Sequence, residues 1–345
     1  MPQMNDQVFY LDQASFFAWV YKILYPVEWL MTQILFYFHK ALTFIGFQDG
    51  PGVAWVLSIM LLVIFVRLCI LPLFIKQMNS MRKLQAIQPK LQHIQAKYKG
   101  KTDQASREAM NRETMKLYQD AGANPMGSCV PALFQGPVFM AMFYTLTAAR
   151  YIALDNGAKE PFGAFTVEVA KQIEGTSLFG VSLADMFPTA DTHGKVIIGI
   201  FIALMCLTMF LSQYYNLRRN LPRASMEGPQ YSMQRSMAFI FPVMYIFSGV
   251  MFPSAVLVYW LTNNLWTLGQ VIWQVHNMPT PGSPAHEAKE IRDRKKEEER
   301  RERKGLPTIE EEALAKAKEA QAAQAEKGHQ RQQPKRNRSK PKSKR

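Results

Sequence analysis

Apolar residues run along this chain in long blocks separated by polar ones. Residues 53–66 (VAWVLSIMLLVIFV) carry no charge; Arg67 follows, then LCILPLFI, and the chain turns polar at Lys76. Similar blocks predict five spans, roughly 52–75, 127–149, 195–216, 235–251 and 253–275. The first, third and fifth are about 22 residues long, enough at 1.5 Å per residue for ~30 Å of hydrocarbon. The fourth is short and holds Pro242; it forms a tight hairpin with the fifth, turning near Gly249–Pro253. The expected class is an all-α polytopic membrane protein.

Two patterned stretches flank the first span. Over 16–47, Glu28, Thr32, His39 and Thr43 fall on one helical face. This favours an amphipathic helix lying at the membrane interface over a sixth span. Beyond Lys76, Leu84, Ile87, Leu91, Ile94 and Tyr98 recur at spacings of three and four, a coiled-coil seam. Pro89 either kinks that helix or opens it, Gly100 breaks the pattern, and a second helical stretch runs over about 103–119. Residues 77–123 therefore read as a helical hairpin, either a plain connection or a docking or gating element.

Charge orients this pattern. Segment 76–123 has ten Lys/Arg and four acids, loop 216–235 has four and one, and the chain after 276 has twenty and twelve. Residues 1–51 hold only Lys22 and Lys40, and 151–194 has two Lys against six acids. The positive-inside bias puts the N-terminus outside and the tail in the cytoplasm, and parity agrees with an interfacial 16–47. The domain reading is an extracytoplasmic 1–51, a core 52–275 with loops 77–123, 151–194 and 216–235, and a tail 276–345. In that tail Thr308-x-x-Glu311 is a capping box opening a helix to about 327. The final fifteen residues hold eight Lys/Arg and no acid; this run suits ribosomal RNA or anionic headgroups, or simple solubilisation. The three cysteines, Cys69, Cys129 and Cys206, all lie in spans and read as buried thiols.

Arg67 is then the anomaly, since a charge at the bilayer centre costs ~2.5–3.5 kcal/mol. It lies about 13 Å along the helix from Lys76, so snorkelling competes with a wet cavity as its explanation. Candidate company comes from the last span, where Asn263, Thr267, Gln270 and Gln274 form one stripe with Trp260, Asn264 and Trp266 beside it. Thr208, Ser212, Gln213 and Tyr215 in the third span, and Ser128 and Gln135 in the second, add to it. Ordinary helix–helix hydrogen bonding is the competing reading for each. The methionines in and beside the spans fill membrane helices or suit a surface that meets many apolar sequences. Motifs of zinc hydrolases, P-loop enzymes and serine hydrolases are absent, and no acid sits in the five spans. An enzyme, a cofactor, a metal site and a proton relay are therefore not expected.

Four ordered segments resemble the YidC/Oxa/Alb membrane protein insertase family. VRLCILPLFIKQ (66–77) is similar to its first core span with a groove arginine, and QPKLQHIQAKYK (88–99) to its cytoplasmic hairpin. NPMGSCVPALFQGPVF (124–139) and VYWLTNNLWTLGQ (258–270) are similar to the second and last core spans. The absence of a large extracytoplasmic domain, and the long basic tail, make the likeness strongest to actinobacterial members. The resemblance implies a five-span core in the bacterial plasma membrane whose groove opens to cytoplasm and lipid. Arg67 would attract a substrate's polar end there, with Gln135, Gln213, Asn263, Asn264, Thr267 and Gln270 hydrating it. Apolar substrate segments would move along the third and fifth spans past Trp260 and Trp266. The partners it implies are nascent membrane proteins, the ribosome through the tail, the Sec translocon, the signal recognition particle pathway and membrane lipids. A channel or small-solute transporter is the rival reading.

Overall fold

The computed structural model of the chain describes residues 18–123, 130–154, 159–226 and 229–328. Contacts divide it into two units, residues up to Glu287 and Ala288 onward. The first is an all-α bundle. Its long helices are α1 (Ala18–Phe44), α2 (Val53–Ala86), α5 (Val130–Ala153), α7 (Thr192–Asn220), α8 (Pro229–Met251) and α9 (Ser254–Asn277). The shorter α3 (Gln88–Lys97) and α4 (Gln104–Asp120) follow α2, and α6 (Val167–Glu174) follows α5. The five spans correspond to α2, α5, α7, α8 and α9. Of these, α2 and α7 are long and apolar enough to cross a bilayer on length and composition alone.

α9 is the hub, packing against α7, α2 and α5, while α1 lies across α2 and α5. At one end of the bundle, residues 159–190 form a cap made of α6 and a two-stranded antiparallel ladder, β1 (Ser177–Leu178) and β2 (Val181–Ser182). The main apolar core lies just beneath it. Trp55, Ile59 and Leu62 of α2 meet Met142 and Ile152 of α5, Phe165 and Ile173 of the cap, and Val256 of α9. The cap is stitched to the helix ends. Gly52 N donates to Thr176 Oγ1 (3.0 Å), Ala255 N to Leu183 O (2.8 Å) and Ser254 N to Asp185 O (2.9 Å).

α1 forms as the expected amphipathic helix. Its polar residues do share a face, but that face points into the protein. Glu28, Thr32 and His39 are each 1% exposed or less, whereas Tyr37 is 67% and Phe44 91% exposed. The polar stripe is used internally. Thr32 Oγ1 accepts from Ala164 N of the cap (3.1 Å), and His39 stacks on Trp55 with ring centroids 3.8 Å apart. Gly163 (φ +58°) permits this approach, since a Cβ there would collide with Thr32 Oγ1. The sequence pattern identifies the polar face but not what it faces.

At the other end, α2 runs on past Lys76 without a break to Ala86, so the first arm of the hairpin begins as an extension of the span. Pro89 sits in the first turn of α3, where its missing N–H costs nothing. Ile87, Leu91 and Ala123 form a small apolar cluster with Leu84, Leu117 and Tyr118. Ile94 and Tyr98 are half-buried, and Tyr98 Oη donates to Glu113 Oε1 (2.9 Å). Gly100, at φ +83°, makes the turn, and Asp103 caps α4 by accepting from Ser106 N. A strap after α9 holds the hairpin base. Arg82 Nε donates to Pro279 O (3.0 Å) and Thr280 Oγ1 to Gln85 Oε1 (2.5 Å), while Thr280 N donates to Asn220 Oδ1 (2.9 Å).

The second unit continues α10 (Pro284–Arg303) and contains α11 (Ile309–Gly328). The capping box forms, with Thr308 N donating to Glu311 Oε2 (2.9 Å) and Glu311 N to Thr308 Oγ1 (3.2 Å). Lys316 and Arg301 hold the Glu312 carboxyl down at about 2.

Candidate functional site: a latched arginine between α2, α5 and α9

Burial along α2 changes abruptly. Ala54, Trp55, Val56, Ser58, Ile59, Leu62 and Val63 are buried, and then no residue is buried until Met78. Arg67 stands one turn past Val63, where the sealed core gives way. Its guanidinium turns toward α9. Arg67 Nε donates to Asn263 Oδ1 at 2.9 Å, Nη2 donates to the same oxygen at 2.5 Å, and Nη2 reaches Thr267 Oγ1 at 3.3 Å. Thr267 gives its own proton to Asn263 O (2.8 Å), so its oxygen is free to accept.

Beside the arginine is a small cavity lined by Val63, Val66, Arg67, Ile70, Gln135, Val138, Met142, Tyr259 and Asn263. It has room for about one water. Among the described residues no acid lines it, so there the cation has hydrogen-bond partners but no counter-charge. Tyr259, one turn before Asn263, is 2% exposed and its hydroxyl has no partner among the described residues. The period of α9 places Tyr259 on the face of Asn263 and Thr267, a relation readable from the 259/263/267 spacing.

The other expected groove residues go elsewhere. Asn264 is turned about 100° from Asn263, is buried, and donates from Nδ2 to Met205 O of α7 (3.3 Å). Gln270 accepts from Trp266 Nε1 on its own helix (2.8 Å). Gln213 is exposed on α7 and does not line the cavity. Thr208 and Ser212 bond back to carbonyls of their own helix, as hydroxyls inside helices often do. Trp260 sits in an aromatic cluster, 4.4 Å from Tyr245 and 5.5 Å from Phe139 between ring centroids. Gln135 does join Arg67; Ser128 and Cys129 lie outside the described residues, while Cys69 is exposed and Cys206 half-buried.

A second cavity, of about 200 Å³, opens under the cap between α5 and α8. Phe143, Leu146 and Thr147 form one wall and Ser248, Met251 and Phe252 the other, with Arg150 and Glu174 at the cap side. Among the described residues these two helices have few close backbone approaches, whereas α7 and α9 are the most closely packed pair. Outward, α8 shows Phe239, Val243, Met244 and Phe247. Burial pushes the Glu174 carboxyl above its ordinary range, partly opposed by Arg150.

An all-α membrane bundle with a half-buried cation, Arg67, held between spans is the class these observations define. Residues 46–281 match the family model described as 60Kd inner membrane protein. The chain is similar to the membrane protein insertase YidC of Bifidobacterium longum, with 56% identity over 98% of this chain and 100% of that one. It is 34% identical to the YidC insertase of Streptomyces avermitilis over 80% of this chain and 62% of that one. It is 32% identical to that of Tropheryma whipplei over 80% and 91%. The chain belongs to the YidC/Oxa/Alb insertase family, in its actinobacterial branch.

Proposed function

We propose that this membrane protein is an insertase that moves newly made membrane proteins into the bilayer without bond chemistry. The observation that carries this reading is the end of the apolar core at Val63, followed one turn later by a cation with no acid beside it among the described residues. Polar ends of substrates cross more easily where donors replace water than through bare hydrocarbon. Arg67 supplies the attraction, with Asn263, Thr267 and Gln135 around it. Trp55, Ile59 and Leu62 close the bundle on the capped side, which supports a half-channel and gives no support to a pore through both faces.

The hairpin end, basic in sequence, faces the cytoplasm, and the cap lies outside, where the N-terminus also belongs. The substrate's apolar segment leaves through the lane between α5 and α8. The close packing of α7 on α9 leaves only outer faces for a path along the third and fifth spans, so the lane with two apolar walls is the better route. The outward apolar face of α1 lies against lipid. The basic tail meets the ribosome, the hairpin recruits or gates, and the Sec translocon and signal recognition particle pathway supply substrates.

In reconstituted vesicles, Arg67→Glu is expected to impair insertion of substrates with acidic extracytoplasmic ends more than those with neutral ends. Equal insertion of both by the variant would remove the attraction model. Deleting 331–345 is expected to weaken ribosome co-sedimentation at low salt while the core melts as before, and unchanged co-sedimentation would deny the tail that role.

A further inference from the structure

The Arg67 cluster is asymmetric in how it is bonded. Both nitrogens with a partner, Nε and Nη2, lie on one edge of the guanidinium, and both bond to α9. A single Asn263 oxygen takes two of these three bonds, which commits the Asn263 side-chain nitrogen to the opposite direction as a donor. Tyr259, fully buried with an unpartnered hydroxyl, lines the same cavity. An unpartnered buried hydroxyl is costly and calls for an explanation.

We propose that Asn263, assisted by Thr267, is the positioning residue of this site. It fixes the guanidinium by its Nε–Nη2 edge and leaves Nη1, on the far edge, and the Tyr259 hydroxyl of the same cavity as the donors open to a substrate carboxylate. An arginine free on its stem can reach lipid headgroups by extending along the helix; one tied to α9 cannot. The tie thus selects a hydrogen-bonded, carboxylate-bearing segment over any polar one, because a carboxylate accepts from several donors at once. The inference rests on the attraction reading of Arg67 and adds a geometric requirement to it.

The test uses the full chain in vesicles with a matched substrate pair, one carrying an Asp in its extracytoplasmic end and the other Asn at that place. The readout is the ratio of inserted acidic to inserted neutral substrate. Arg67→Gln tests the underlying reading, and its ratio is expected to fall toward one. Asn263→Leu keeps Arg67 but removes its anchor, and the ratio is expected to fall about tenfold, on the scale of one lost charge-assisted hydrogen bond. Tyr259→Phe removes one donor and is expected to lower the ratio less. Asn263→Asp retains the acceptor while supplying an internal counter-charge, and is expected to abolish the preference altogether. If Arg67→Gln loses the preference while Asn263→Leu keeps it, positioning by Asn263 is wrong and the attraction reading survives. If Arg67→Gln keeps the preference, both fall. Thermal unfolding of each purified variant separates these results from loss of fold, and Asn263→Ser, which restores a short acceptor, is expected to recover part of the ratio that Asn263→Leu loses.

Discussion

The two halves of α2 are built on opposite principles. Between Ala54 and Val63 seven of ten residues are buried, and Trp55, Ile59 and Leu62 are fully enclosed. Between Ile64 and Gln77 none is, although the sequence there, apart from Arg67, remains almost as apolar until Lys76. Hydropathy is nearly constant across Val63, but packing is not. The capped half is a conventional protein interior; the other half leaves Phe65, Leu68 and Leu73 exposed and keeps one charge among the neighbouring helices. One helix thus carries both an enclosed segment and a less enclosed one that holds the charge.

The comparison is broken most directly by truncation on each side of it. Trp55→Ala is expected to cost about 3–5 kcal/mol, the usual range for a buried aromatic. Leu68→Ala, at a half-exposed position, is expected to stay within about 0.5 kcal/mol. Denaturation of both variants in one detergent measures the difference, and equal losses would mean that the halves are packed alike. A smaller, sharper question is whether the open half meets water or only lipid. In a background without native cysteines, Gln135→Cys is expected to react with a charged maleimide and Ile59→Cys to resist it. Resistance at both positions would make the open half lipid-filled.

The smallest effect lies at the rim of the cap. Burial raises the Glu174 carboxyl in the folded protein, so the fold disfavours its ionised form. That penalty is present at neutral pH and disappears as pH falls through the raised range, where the folded state takes up the proton. Glu174→Gln is therefore expected to melt higher than the parent at neutral pH and to lose that advantage in acid. A pH series of melting temperatures checks the sign, and an advantage that grows toward acid would contradict it.

What was legible in the sequence follows from what a helical period can encode. The spacing of Leu84, Ile87 and Leu91 foretells a seam that does pack, and Thr308 with Glu311 foretells a cap that does form. Asn263 and Thr267 were legible as company for Arg67, being one turn apart on a face. Asn264, one residue away, looks equivalent in composition but is rotated onto α7. Periodicity also could not say which side of α1 is inside. An amphipathic helix usually hides its apolar side from water; among apolar surroundings the polar side is the one to hide, and Glu28, Thr32 and His39 are hidden. In the sequence the cap reads only as an acidic loop, since its short α6 and two-residue strands carry too little pattern to register.

The unbroken length of α2 has a mechanical meaning. Its 34 residues span about 51 Å at 1.5 Å per residue, with Arg67 near the middle and the hairpin at the far end. No loop intervenes to absorb a push. The capped half is the fulcrum, clamped by the apolar core, and the hairpin is the long arm of a lever. Pro72, five residues beyond Arg67, is the one place inside the helix where the beam lacks a backbone tie. A load on the hairpin that the strap at Pro279 and Thr280 does not carry is therefore taken up as bending within a turn and a half of the charge.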